Sequence, residues 1–436
     1  MLALKRHFWY PLLLLLSMDA WCQSAHLSFE HLGTLQGLSH SNVTCTLQDS
    51  RGFMWFGTRE GLNRYDGYTF TVYKHRLEND RSLSNNKITG IVEDANGYLW
   101  IGTWGGGLDR YDRKTDAFAH FQHDPKNPSS LSSNLVLCLL LDSRGYLWVG
   151  TEDGGLNRMD TAGHFEHFVH REGDKNSLSS NYIKAICEGP SHYLWIGTYG
   201  GGLNRLDPKT WTVWRFLHDP HDRGTLGDDN IASLRADGHN RVWVGTYTGL
   251  DQLDRITGRF THYDKPGPNY VTNTTVNSLG EDGEGNLWIG TENNGLVVMD
   301  SAGGMHHYLH DDVDPSSLGM NSLYTIYRDS KKNMWIGSFS GGIDFVNWDT
   351  RKFPHFRHNS SPYSLSDNHV LCIYEDLENN LWVGTDGGGL NLFDRKTERC
   401  KHFLHDQANS NSIGGNYVLR VIEDHNRNLW IGTWAD

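Results

Sequence analysis

Histidine pairs three residues apart recur along the chain: His120/His123, His167/His170, His307/His310, His355/His358 and His402/His405. Imidazole is a common metal ligand, so this spacing must be weighed as a metal site. Alternation along an extended strand sends residues three apart to opposite faces, which suits a single ion poorly. The pairs fall in what reads as the outermost strand of each repeat, and neither metal nor cofactor is expected. The glycine run 105–107 could instead cradle phosphate. It lacks the Gly-Lys-Ser/Thr ending of a phosphate loop and joins two strands instead of opening a helix, so it reads as a tight hairpin. A glycosidase would need paired carboxylates. No such set stands out, and no catalytic residue is assigned.

The position that does vary inside a fixed phrase is more informative. Directly after Gly-Thr or Gly-Ser stand Arg59, Trp104, Glu152, Tyr199, Tyr247, Glu292 and Phe339. Aromatic rings stack on the apolar faces of sugars, and Arg and Glu hydrogen-bond hydroxyls. If these positions share one face of the fold, they form a ring suited to an oligosaccharide or another small molecule. The competing reading is that they are exposed hairpin residues under little constraint.

The phrase itself, Leu-Trp-Ile-Gly-Thr or close to it, carries Trp55, Trp100, Trp148, Trp195, Trp243, Trp288, Trp335, Trp382 and Trp430, spaced 45 to 48 residues apart. A period in this range indicates a β-propeller whose repeats are four-stranded blades. Residues 136–181 show the pattern. An apolar run precedes an Asp-Ser-Arg-Gly turn, then come the tryptophan strand, a Gly-Gly turn, a third strand and an alternating fourth. Nine residues before each tryptophan the chain is nearly always apolar, and the neighbouring slot holds small residues, among them Cys45, Cys138 and Cys372. That fits an innermost strand crowded around an axis. It also reads the cysteines as small buried groups, with no disulfide framework. The tryptophans are expected to pack between blades.

The fold class is therefore all-β: a seven-bladed β-propeller of four-stranded antiparallel blades, plus the first two, incomplete blades of a second propeller. Residues 29–32 resemble the fourth-strand phrase 118–121, so the mature chain opens with an orphan fourth strand. The copy of Trp335, whose following Gly-Gly-Leu-Asn-Arg pattern is stretched, is the expected recipient. This gives a propeller over 26–350 and the start of a second over 351–436. Residues 352–358 are expected to be the orphan first strand of that second ring. The final phrase stops inside a blade, so the chain reads as the front part of a longer protein. Lys5, Arg6 and His7 followed by the short apolar run 8–17 read as a cleaved export signal within 1–25. Trp21 before Cys22 disfavours a lipoprotein. A net charge of −13 with no basic block makes nucleic acid a poor partner.

Residues 99–112, Leu-Trp-Ile-Gly-Thr-Trp-Gly-Gly-Gly-Leu-Asp-Arg-Tyr-Asp, resemble the core motif of the two-component regulator propeller family, as do 381–394 and the connecting phrase 123–132. The resemblance covers nearly everything after the signal. It implies a periplasmic sensor, commonly of oligosaccharides, that controls a histidine kinase. The full-length receptor would be anchored in the inner membrane through later segments and could form a homodimer. No kinase or cyclase motif is present in this chain. The alternatives are the sensor region of a diguanylate cyclase and a secreted propeller glycoside hydrolase or lyase. The Asp-x-x-Gly-x-Leu-Trp turns, as at 282–288, are similar to the Asp-box of sialidases, which is itself a structural hairpin. On the packing role assigned to the phrase, Trp195→Ala is expected to cost about 3–5 kcal/mol in denaturant unfolding; an unchanged midpoint would contradict that role.

Overall fold

The computed structural model describes residues 27–160, 162–237, 241–263, 271, 273–349, 356–359 and 361–434. The expected export signal lies outside them, as does most of 352–358. Nearly all described regular structure is β-strand; the exceptions are two single-turn 3-10 segments, Thr34–Gln36 and Pro190–His192.

One blade shows how the sequence builds the rest. Val136–Leu141, Leu147–Thr151, Leu156–Met159 and Phe165–Phe168 pair antiparallel in chain order. Between the first two strands, Asp142 Oδ1 accepts the backbone N–H groups of Arg144 and Tyr146 at 3.0 and 2.9 Å. Its other oxygen accepts the indole N–H of Trp148 at 3.0 Å. One carboxylate thus sets the turn and aims the tryptophan six residues on. Gly145 supplies the left-handed backbone (φ 86°) that the turn requires. The same bond joins Asp49 to Trp55, Asp94 to Trp100, Asp237 to Trp243, Asp282 to Trp288, Asp329 to Trp335, Asp376 to Trp382 and Asp424 to Trp430. At Trp195 the aspartate is replaced by Gly189, and the buried indole nitrogen has no acceptor.

Consecutive blades meet at the tryptophan and at the glycine two residues after it. Trp55 packs with Ile88, Leu99 and Ile101 of the following blade. A Cβ on Gly57 would stand 2.7 Å from the Ile88 side chain, and one on Gly102 would stand 2.7 Å from that of Val136. The glycine is therefore the seat for the next innermost strand. The innermost strands Val43–Gln48, Ile88–Glu93, Val136–Leu141, Ile183–Glu188, Ile231–Ala236, Val276–Glu281 and Leu323–Arg328 neighbour one another in turn, and the last lies beside the first. Gly337 receives Val43 at this junction, as its counterparts receive theirs.

The blade at the junction is completed from the start of the chain. Glu30–Leu32 pairs antiparallel with Ile343–Val346, placing His31 opposite Asp344. Leu27 and Phe29 are buried among Trp288, Leu318 and Val346. Beyond the ring, Val370–Glu375, Leu381–Thr385, Leu390–Asp394 and Arg399–Phe403 form a further four-stranded sheet, and Val418–Glu423 pairs with Leu429–Thr433. The seven repeat tryptophans of the ring, Trp55 to Trp335, are at most 6% exposed, whereas Trp430 is 62% exposed. The five described cysteines are free thiols, and burial pushes those of Cys45 and Cys138 up to about 12.

The missing carboxylate at Trp195 makes a clean comparison. Trp288→Phe removes a hydrogen bond to a buried carboxylate, whose Oδ2 keeps only the Asn286 amide at 2.8 Å, while Trp195→Phe removes an N–H that had no partner. Trp288→Phe is expected to lose about 1–3 kcal/mol more than Trp195→Phe in urea unfolding; equal losses would contradict the role given to the bond.

A candidate ligand-binding rim

The second strand of each ring blade ends on a hydroxyl residue that closes the next hairpin. Thr103 Oγ1 donates to the Gly107 carbonyl at 2.9 Å and accepts the Gly106 N–H at 3.1 Å. Thr151, Thr198, Thr291 and Ser338 bond the corresponding glycine carbonyls. With that side chain turned inward, the next residue faces out. Its N–H continues the ladder to the residue preceding the innermost strand: Trp104 to Lys87, Glu152 to Leu135, Tyr199 to Tyr182, Tyr247 to Asn230, Glu292 to Thr275 and Phe339 to Ser322, all at 2.9–3.1 Å. Residues 105–107 are the hairpin itself. Gly105 and Gly107 have positive φ, and both donate to the Asn134 carbonyl at 3.0 Å.

The seven variable residues lie along one rim, linked in large part by side-chain contacts. Arg59 lies 5.3 Å from the Phe339 ring centroid, across the junction of the first and seventh blades. The Lys87 ammonium sits 3.1 Å from the Trp104 centroid, and the Trp104 indole donates to Glu152 at 2.7 Å. Tyr182 packs on Tyr199 at 5.2 Å, and Tyr199 on Tyr247 at 5.6 Å. Tyr324 meets Phe339 edge-on at 5.7 Å. The charges of Arg59 and Glu292 both reach the Tyr324 hydroxyl, whose pKa is raised chiefly by burial. Trp104, Tyr199, Tyr247 and Phe339 keep 37–45% of their surface exposed. A large aromatic held at such exposure offers a stacking face without having to be uncovered first.

Lys87, Tyr182, Lys184 and Tyr324 also reach this rim and are absent from the sequence-derived set. Lys87 and Tyr182 immediately precede an innermost strand; Lys184 and Tyr324 are the second residue of one. That second column, Thr44, Thr89, Leu137, Lys184, Ala232, Asn277 and Tyr324, varies as widely as the hairpin position. Its variation was the available signal.

The histidines do other work. His120, on the fourth strand, bonds Asp109 through Nδ1 at 2.7 Å and the Asp80 carbonyl through Nε2 at 2.8 Å. His123 bonds the Leu131 carbonyl through Nδ1 at 2.8 Å, and His170, His310, His358 and His405 hold the corresponding carbonyls. Both members of the pairs 120/123, 167/170 and 402/405 thus staple the inter-blade connections. The expectation that both members lie in the outermost strand is corrected: that strand ends at Phe121, before His123. His355 lies outside the described residues. Among the described residues, no three metal-ligating side chains converge.

At the opposite end of the ring, Ser143 Oγ approaches Glu188 at 2.6 Å and His192 Nδ1 at 2.8 Å. Glu188 bonds the same imidazole nitrogen at 2.8 Å. This is not a relay, because serine and carboxylate share one nitrogen and bond each other directly. Ser50 and Glu93 make the same contact between other blades without a histidine. It is a clasp between blades.

His31 and His120 each place a carboxylate on one ring nitrogen and a carbonyl on the other. Only the doubly protonated imidazole donates to both. Their carboxylate partners accordingly raise both pKa values, against the opposing effect of burial. Burial also disfavours the Asp344 charge, and the His31 imidazolium offsets that cost. The stability supplied is fully present below the unfolded value of about 6.5 and is lost as pH rises through the raised folded values. The melting temperature of the wild type should exceed that of His31→Gln most at pH 6, with the gap narrowing toward pH 9. A gap that widens with pH would contradict the protonated pair.

Comparison with known proteins places this geometry. The two component regulator propeller model matches residues 37–60, 82–105, 130–153, 177–200, 270–293, 317–340, 364–387 and 412–435. The copy carrying Trp243 falls outside these segments yet forms a complete blade. The extracellular domain of BT3049 from B. thetaiotaomicron, described as a hybrid two component system, is similar with a TM-score of 0.68 and 25% identity over 93% of this chain and 64% of that one. That of BT4673 from the same organism gives 0.61 and 26% over 94% of this chain and 58% of that one. The chain thus spans about three fifths of the length of these two domains. Histidine kinase P4 of Formosa agariphila is 37% identical over 67 residues, 15% of this chain and 5% of that protein.

Proposed function

Because the chain belongs to the two component regulator propeller family, we propose that it is the ligand-sensing region of a two-component signalling receptor. It works on the periplasmic side of the inner membrane, recognises an oligosaccharide and controls a histidine kinase. It carries out no reaction of its own. Its likeness to extracellular domains of two component systems supports the export and the signalling role.

The observation that carries the reading is the contrast at the rim. The hydroxyl and glycines of every hairpin are held by the same bonds, while the residue between them changes from Arg to Trp, Glu, Tyr and Phe and stays open to solvent. A sugar ring presents an apolar face to aromatics and hydroxyls to Glu and Arg, and this rim supplies both within one surface. Contacts from several blades to one ligand favour the arrangement in which all are satisfied, and such differential affinity is what shifts a signalling equilibrium.

The double variant Trp104→Ala/Tyr199→Ala tests this. Titration calorimetry against an oligosaccharide found by screening should show at least about a tenfold loss of affinity. The melting temperature should move by no more than about 2 °C, since both side chains are surface groups. Unchanged affinity would overturn the rim as the ligand surface.

A further inference from the structure

Charge is unevenly distributed around the rim. Arg59, Lys87 and Lys184 form one sector: Arg59 and Lys184 both stand close enough to Lys87 to help depress its pKa, with burial the larger cause. Among the described residues, no carboxylate lies within ion-pair distance of any of the three. Arg59 contacts the Phe339 ring and Lys87 the Trp104 ring, both through cation–π geometry. The nearest acidic group, Glu152, adds some compensating charge at Lys87, but its oxygen is engaged by the Trp104 indole at 2.7 Å. Of the further carboxylates, Glu292 and Asp228 act at Tyr247, and Glu292 also at Tyr324.

Three cations with only Glu152 acting against them at Lys87 leave this sector with an excess of positive charge, which is unfavourable in itself and stands out in a chain of net charge −13. The Lys87 ammonium is already partly stripped of water by the indole beneath it, so an incoming anion meets a weakly hydrated donor. Beside this sector begins the aromatic arc of Trp104, Tyr182, Tyr199 and Tyr247.

If the rim is the ligand surface, as proposed above, we infer that its ligand is an acidic glycan. A carboxylate or sulfate group is held by Arg59, Lys87 and Lys184, and the adjoining sugar rings stack along Trp104 and Tyr199. The anion is the shared chemistry; a uronic acid and a sulfate ester are its two sources.

Titration calorimetry on the full chain separates them, using trigalacturonic acid, its methyl ester, a monosulfated galactobiose and unsulfated galactobiose. One acidic probe should bind at least about tenfold more tightly than its neutral counterpart, as a charge-assisted hydrogen bond would give. Which acidic probe does so names the source. Arg59→Gln and Lys184→Met should each remove most of that preference, lowering the affinity for the acidic probe far more than that for its neutral counterpart, with the melting temperature unchanged. Equal binding of acidic and neutral probes, a preference that survives both substitutions, or no binding of either acidic probe would overturn the inference. A neutral probe whose binding is then lost in Trp104→Ala/Tyr199→Ala would leave the rim itself standing as the ligand surface.

Discussion

A tryptophan indole lying between consecutive blades, tied through its N–H to an aspartate in its own hairpin, is the contact from which the ring is built. The aspartate closes the turn between the first two strands with one oxygen and orients the indole with the other. The oriented indole covers the face of its blade and meets the next, and the glycine two residues later lets the next innermost strand approach. Turn, strand pairing and blade packing thus depend on one short phrase. The blade of Trp195 shows what is dispensable. Its turn is remade by Pro190 and by positive φ at Ser191 and His192, and the indole stays buried although its nitrogen has no acceptor. Burial of the ring is the constraint; the carboxylate refines it.

Most of this architecture was legible because it rests on local, repeated chemistry. The small slot ten residues before each tryptophan could be read as a crowded innermost strand and the tryptophan as inter-blade packing, since nearly every copy repeats the same need. The short phrase 29–32 pointed to a fourth strand, and Glu30–Leu32 does extend the sheet of Trp335. The histidines were legible only in part. Spacing argued against a shared metal, but not for the staples that hold carbonyls 37 to 40 residues away, because those bonds belong to connections folding back over the blade. The third-strand residue facing the histidine also decides its role. Opposite Asp109 or Asp344 the facing carboxylate raises the imidazole pKa, a distinction that spacing alone does not carry.

The rim was half legible. The hairpin column announced itself by varying inside a fixed phrase. The second column, which brings Lys184 and Tyr324 to the same surface, lies in strands whose alternation suggested only an apolar inner face. Its polar members have no repeated neighbour to mark them. Only the ring geometry joins the two columns and shows that the cations gather in one sector, against Phe339 and Trp104, with a cluster of tyrosines beyond it. The molecule thereby divides its labour: one end is held by an aspartate turn in every blade of the ring but that of Trp195, while the other is free to differ.

That division is the central claim, and hydrogen–deuterium exchange on the full chain, with and without an oligosaccharide selected by binding, tests it most directly. The account predicts ligand-induced protection confined to the hairpins that carry Trp104, Glu152, Tyr199 and their counterparts, with the adjoining starts of the innermost strands. The aspartate turns at the opposite end should be unaffected. Protection centred on those aspartate turns, with the rim hairpins unchanged, would contradict it.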